Sequence, residues 1–231
     1  MGTGGQSRLR QLQRKHSDQL LSLLTVLLLV MLFVVAPIQA AGFFIAEVEV
    51  FGVIVGLAMV AGVLVMSASP TASAIILAAF SLNVFVVIAR LTKPSPYDLY
   101  LVAAAWFIIV CTLGFVVGQK VFGPGNVSFH RIAGAVLLYL LIALAFVSLF
   151  TLVALRVPSA FNGLVLEDNR KMASNLIYFS FVTLTSTGYG EIFPVHPIAR
   201  SLCNLETIIG QLYPATLLAR LVTLEIAGRR R

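Results

Sequence analysis

Charged side chains are scarce in this chain. Only 11% of its 231 residues are Asp, Glu, Lys or Arg, against roughly 25% in an ordinary soluble domain, and mean hydropathy is +0.99. A water-soluble globule is excluded. Cysteine is almost absent: Cys111 and Cys203 both fall inside apolar runs, where a free thiol behaves as a small hydrophobe, so neither a disulfide nor a metal site is indicated. The 3 histidines are scattered, and no nucleophile, base and orienting group can be grouped, so no enzyme is expected and no cofactor is called for. Acids are fewer than bases, 9 against 16, for a net charge of +7. The excess sits largely at the two ends and between apolar runs. Anionic lipid headgroups, not nucleic acid, are therefore the expected partners of the basic termini.

What the chain has instead is apolar length, with 59% hydrophobic residues. A hydrocarbon core about 30 Å thick needs about 20 apolar residues per crossing helix, so six spans with short loops account for most of the sequence. A basic segment carrying Arg8, Arg10, Arg14 and Lys15 precedes the first run, Leu20 to Ala41. Gln39-Ala40-Ala41 would suit a cleaved leader, but about 17 apolar residues precede Pro37, longer than a usual leader core of about 7 to 15, and a retained helix is preferred. The second and third runs, Val50 to Met66 and Ala72 to Ala89, are separated by Ser67-Ala68-Ser69-Pro70-Thr71. Arg90, Lys93, Pro94 and Pro96 end the third. The fourth runs from Tyr97 to Val117, and Gly123-Pro124-Gly125 with His130-Arg131 breaks the chain before the fifth, Ile132 to Leu155. Then the pattern changes: a polar stretch, a shorter amphipathic one from Met172 to Thr185, a glycine-containing segment, and a sixth run from Ile198 to Ile226. With six crossings both termini share a side, and the bias of Lys and Arg places that side in the cytoplasm.

The segment that carries chemistry is Thr185-Ser186-Thr187-Gly188-Tyr189-Gly190-Glu191. Irregular backbone at membrane depth is tolerated only against protein or a water-filled cavity. Glycines 188 and 190 permit dihedrals that a β-carbon opposes, so successive carbonyls can point toward one axis. Carbonyls so arranged replace the water shell of a cation.

The order of helix, short helix, Thr-x-x-Gly-Tyr-Gly-acid and helix, from Arg131 to Leu221, resembles the pore module of the tetrameric potassium channel superfamily. Pro194 and Arg200 stand where that family often has a proline and a basic residue. The resemblance implies an all-α integral membrane protein with six transmembrane helices, a re-entrant pore helix and a selectivity filter, in the architecture of voltage-gated channels. It implies a homotetramer, passive conduction of K+, and ion binding at Ser186, Thr187, Gly188 and Tyr189, with Gly190 completing the filter and the Ser186 hydroxyl an extra ligand. Thr185, Glu191, Tyr178 and Phe179 are its supports: the two aromatics take the places that hold the filter tyrosine outward, and a contact from the Tyr178 hydroxyl to Glu191 is expected. Where the family usually has threonine and a β-branched apolar residue, this chain has Ser186 and Thr187. A weakly selective cation channel is the alternative they suggest.

The domain organisation that follows is a basic cytoplasmic segment at 1–18, a four-helix transmembrane domain at 19–118, a linker at 119–131, a pore domain at 132–226 and a basic end at 227–231. In the sixth run Pro214 lacks the N–H that would bond the Gly210 carbonyl, so a kink and gating hinge is expected there. Glu206, an acid inside a span, either tunes the pore or bonds the pore helix, and Gln211 faces the cavity. A voltage sensor needs several arginines at three-residue spacing on one span. None lies between Pro94 and Gln119, so little intrinsic voltage gating is expected. The rival class is a secondary transporter or a non-conducting scaffold in the membrane. A transporter usually shows broken helices in two related halves, and here only the carboxyl half has such a break. The expected location is the plasma, or inner, membrane as a multi-pass protein.

Overall fold

The computed structural model describes residues 19–41, 48–67, 69–95, 97–123, 129–164 and 170–229. The basic ends at 1–18 and 230–231 and residues 124–128 of the linker lie outside these. Helix α1 covers Gln19–Ala40 and widens into a π-turn at Met31–Val35, where the Ala36 N–H donates to the Met31 carbonyl five residues back. Pro37 follows at once and has no N–H to continue the ladder, a common setting for such a turn. Helix α2 spans Val48–Met66 and α3 Pro70–Thr92. Pro70 occupies the first turn, where a missing N–H costs nothing.

Helix α4, Asp98–Phe122, opens on an acid that suits the positive end of the helix dipole. Asp98 Oδ2 accepts from the Ser95 N–H at 2.7 Å and lies 3.9 Å from Arg90 Nε. This helix runs on beyond the expected end at Val117, through Gly118, because no proline stops it before Pro124. Helix α5 spans Phe129–Arg156, β1 Phe161–Asn162, α6 Arg170–Leu184, β2 Phe193–Pro194 and α7 Pro197–Arg229. The two short strands pair antiparallel, Phe161 opposite Pro194 and Asn162 opposite Phe193. They are an addition to the all-helical expectation. Helix α7 continues unbroken through Gly210 and Pro214.

One core joins the first five helices, with Leu21, Val63, Ile76, Leu113 and Leu141 all buried. A second lies between α5, α6, α7 and β1, built from Phe146, Phe150, Phe161, Leu176 and Ala199. Polar side chains lock the layers. Thr25 Oγ1 donates to the Ala133 carbonyl at 2.9 Å, tying α1 to α5, and the Tyr100 hydroxyl donates to the Leu155 carbonyl at 2.6 Å, tying α4 to α5.

Large apolar side chains such as Val26, Phe33, Phe85 and Phe115 face outward, as lipid-facing surfaces do. Among the described residues, four helices are long and apolar enough to cross a membrane: α1, α3 over Pro70–Arg90, α4 and α5. The apolar stretch Gly52–Met66 in α2 is shorter. Helix α7 has 33 residues, but Arg200, Asn204, Glu206 and Gln211 dilute its apolar character.

Candidate functional site: the segment between α6 and α7

Helix α6 ends in a cap built from the residues that follow it and the Thr185 hydroxyl. The Thr185 N–H and Thr185 Oγ1 both donate to the Phe181 carbonyl, at 3.0 and 2.7 Å. The Ser186 N–H donates to the Thr183 carbonyl at 3.0 Å and the Thr187 N–H to the Val182 carbonyl at 2.9 Å. Carbonyls that a helix end leaves orphaned are thereby used. From there the chain leaves the helix with an alternating backbone: φ is +57° at Ser186, +57° at Gly188 and +86° at Gly190, while Thr187 and Tyr189 between them are not positive. The sign of φ thus alternates along 186–190, a pattern in which the like backbone groups of successive residues can face one side. A β-carbon opposes positive φ, which accounts for both glycines. Ser186 accepts the same conformation without that excuse.

Residues 185–191 are exposed within the single chain, and a β-carbon at Gly188 or Gly190 would meet nothing within 4 Å. Their glycine requirement is thus one of backbone conformation, not of crowding inside the chain. Tyr189 turns its ring onto that of Tyr178, with centroids 6.3 Å apart and planes 4° from parallel. The Tyr178 hydroxyl donates to Glu191 Oε2 at 3.1 Å, the contact expected from the sequence. Phe179 is placed differently. It is buried on the other side of α6, packed against Phe150 and Phe161 with centroids 5.0 and 5.4 Å away, so among the described residues only Tyr178 of the two aromatics stacks on Tyr189.

Beyond Glu191 the strand β2 is stapled to β1, and the Ala160 carbonyl accepts the N–H groups of Val195 and His196 at 2.9 and 3.2 Å. Gly163, at φ +79°, lies against the Glu191 carbonyl so closely that a β-carbon would collide with it. Arg200 Nε donates to the Pro194 carbonyl at 3.3 Å. These contacts fix where the segment leaves.

Helix α7 fixes where it begins. Gly210 lies with its backbone against the Leu184 carbonyl, leaving no room for a β-carbon. The residue read from sequence as a hinge therefore has a packing reason to be glycine as well. One turn earlier Thr207 Oγ1 donates to the Thr183 carbonyl at 3.2 Å, and one residue later Gln211 Nε2 donates to Ser186 Oγ at 2.8 Å. Glu206 is fully buried and accepts from the Ser180 hydroxyl of α6 at 2.6 Å. Of its two sequence readings, the bond to the short helix is the one seen. Pro214 lies inside α7 and is exposed.

Ser180, Thr207 and Gly163 escape sequence reading. A serine in an apolar helix, a threonine near an acid and a glycine in a polar loop carry no spacing signal; only their partners give them roles. Among the described residues no group of His, Cys, Asp and Glu is arranged to hold a metal ion.

In comparison with protein families, residues 136–226 fit a family described as an ion channel. The matched stretch runs from within α5 through α6, the 185–191 segment and α7, and it supports ion-channel activity, not enzymatic activity. Together with four membrane-length apolar helices, it makes the chain an integral membrane protein. Comparison with curated proteins and with solved structures gives no match.

Proposed function

We propose that this protein is a potassium-selective channel that conducts passively through a homotetrameric pore. The observation that carries the reading is the alternating backbone of 186–190, with positive φ at Ser186, Gly188 and Gly190. Carbonyls turned to one side form a ladder, and a ring of such ladders replaces the hydration shell of a cation. In this reading one chain supplies one ladder, and residues 185–191 are exposed within that chain. A closed pore then needs symmetric copies, four of them in the channels that the sequence resembles.

In this reading K+ binds at Ser186, Thr187, Gly188 and Tyr189, with Thr185, Glu191 and Tyr178 as supports. Helix α6 is the re-entrant pore helix, and α1 to α5 with α7 are the six spans, both termini in the cytoplasm at the plasma membrane. The exposed apolar residues Leu205, Ile208 and Leu212 of α7 supply surface for packing against neighbouring copies. The first four helices carry no arginine ladder, so opening depends little on voltage. The hinge of the inner helix in this reading is Gly210 to Pro214, where the missing Pro N–H weakens a helix that is otherwise continuous.

The test is the reversal potential of purified protein in planar bilayers, under a potassium gradient and then with sodium replacing potassium on one side. Reversal near the potassium equilibrium potential is expected. Reversal near zero in mixed sodium and potassium would move the reading to a weakly selective pore, and a monomer without current at any voltage would sink it.

A further inference from the structure

Gln211 is the inner-helix residue that reaches the start of the 186–190 segment, and two features bring it there. Gly210 lets α7 lie directly on the Leu184 carbonyl, and the side chain of the next residue then spans the remaining gap, donating from Nε2 to Ser186 Oγ at 2.8 Å. Ser186 is the non-glycine member of the alternating backbone, at φ +57°. Its own N–H is committed to the Thr183 carbonyl. Both groups are exposed within the single chain, on the side of α7 that faces the 185–191 segment.

A serine hydroxyl has two lone pairs. The amide of Gln211 takes one and leaves one for a cation. A hydrogen bond to a ligand oxygen also draws electron density away from the ion, lowering the field strength of that oxygen. Field strength is one of the quantities that sets preference between alkali cations: a weak field leaves the smaller, more tightly hydrated sodium ion short of what its dehydration requires, while potassium is satisfied. The same bond holds the Ser186 side chain in one rotamer, so the hydroxyl position is set from the inner helix.

Resting on the pore reading above, we propose that Gln211 is a specificity-determining residue, which through its amide hydrogen bond tunes the Ser186 hydroxyl at the innermost cation site to favour potassium over sodium. Gln211 acts on the ion through Ser186 and is a positioning residue in that sense. Thr185 and Thr187 do not substitute for it, since their hydroxyls lie 2.9 Å from each other and Thr185 is used by the Phe181 carbonyl.

The test is a double-mutant cycle on the full chain in planar bilayers, read as the potassium-to-sodium permeability ratio under bi-ionic conditions. Gln211→Met keeps length and volume and removes the donor. It is expected to lower the ratio by about threefold to tenfold, the scale of one neutral hydrogen bond. In a Ser186→Ala background the same change is expected to have no further effect, because the oxygen it acts on is gone. Gln211→Asn, one methylene shorter, is expected to behave as Gln211→Met does, and it answers the question if the methionine variant does not assemble. An equal drop in both backgrounds, or no drop in either, overturns the inference while leaving the pore reading standing. Absence of any current from the unaltered chain overturns both.

Discussion

Ser180 in α6 donates its hydroxyl hydrogen to Glu206 Oε1 in α7 at 2.6 Å, with both residues fully buried. The same hydroxyl lies 2.9 Å from the Ala143 carbonyl of α5, so one oxygen joins three helices. Glu206 Oε2 has no partner among the described residues. Removing the serine leaves the carboxyl group with neither oxygen satisfied, and a buried acceptor stripped of its partner costs about 1–3 kcal/mol. Ser180→Ala is expected to destabilise the protein by that amount. Replacing both partners by apolar groups removes the orphan, so Ser180→Ala with Glu206→Leu is expected to lose less than Ser180→Ala alone. Thermal unfolding in detergent measures both; a double variant weaker than the single one would contradict the account.

Gly188 tests the backbone and not the packing. Its φ is +57° and a β-carbon would meet nothing within 4 Å in the chain. Gly188→Ala is therefore expected to cost only about 1–2 kcal/mol per chain. On the proposed channel reading, assembly is retained but potassium selectivity or current is lost, because the substituted residue pulls out of the left-handed region. A variant with unchanged reversal potential and conductance would show that the alternation at 186–190 does not carry the ions.

Gly210 separates two explanations of one residue. If it matters only as a hinge, Gly210→Ala leaves stability intact and changes gating alone. The contact with the Leu184 carbonyl demands more: the added carbon must push α7 away from the end of α6, and such overpacking costs about 1–3 kcal/mol. A fall in thermal stability of the purified protein is expected, together with a lowered single-channel conductance. Pro214→Ala restores an N–H for the Gly210 carbonyl and is expected to stabilise the helix while altering open probability.

Arg220 ties the far half of α7 to the end of α4. Its two terminal nitrogens donate to the carbonyls of Val121 at 3.1 Å, Phe122 at 2.7 Å and Gly123 at 3.2 Å, and its guanidinium lies 5.1 Å from the centre of the Phe122 ring. Arginine presents a planar fork that serves several acceptors at once, which lysine does not. Arg220→Met is expected to destabilise the protein by about 1.5–3 kcal/mol, the range of hydrogen bonds to a charged donor, and Arg220→Lys to recover only part of it. Open probability in bilayers reports whether this strap also holds the inner helix. Equal stability of the lysine variant and the unaltered chain would mean that charge alone matters there.

Some of this was legible in the residues themselves. Apolar runs of membrane length mark α1, α3, α4 and α5 because hydrocarbon admits little else, and Pro70 and Gly123 fall at helix ends, whereas Pro37, Gly210 and Pro214 lie inside helices. The same logic singled out Gly188-Tyr189-Gly190, whose backbone demands are local, whereas Tyr178 as the neighbour of Glu191 came from the resemblance to the potassium channel family. What sequence could not supply are relations between distant segments. Phe179 was expected beside the tyrosine of the segment, yet it packs with Phe150 and Phe161, since the direction of a side chain depends on which helix covers which face. Gly163, Ser180 and Thr207 have roles only through the Glu191 carbonyl, Glu206 and the Thr183 carbonyl. Positive φ at Ser186 has no residue-type signature at all. Local conformational preference and hydrophobic length are properties of a chain, and the sequence by itself determined them; the closeness of α7 to α6, which makes Gly210 a packing residue and brings Gln211 to Ser186, was decided only when the helices packed.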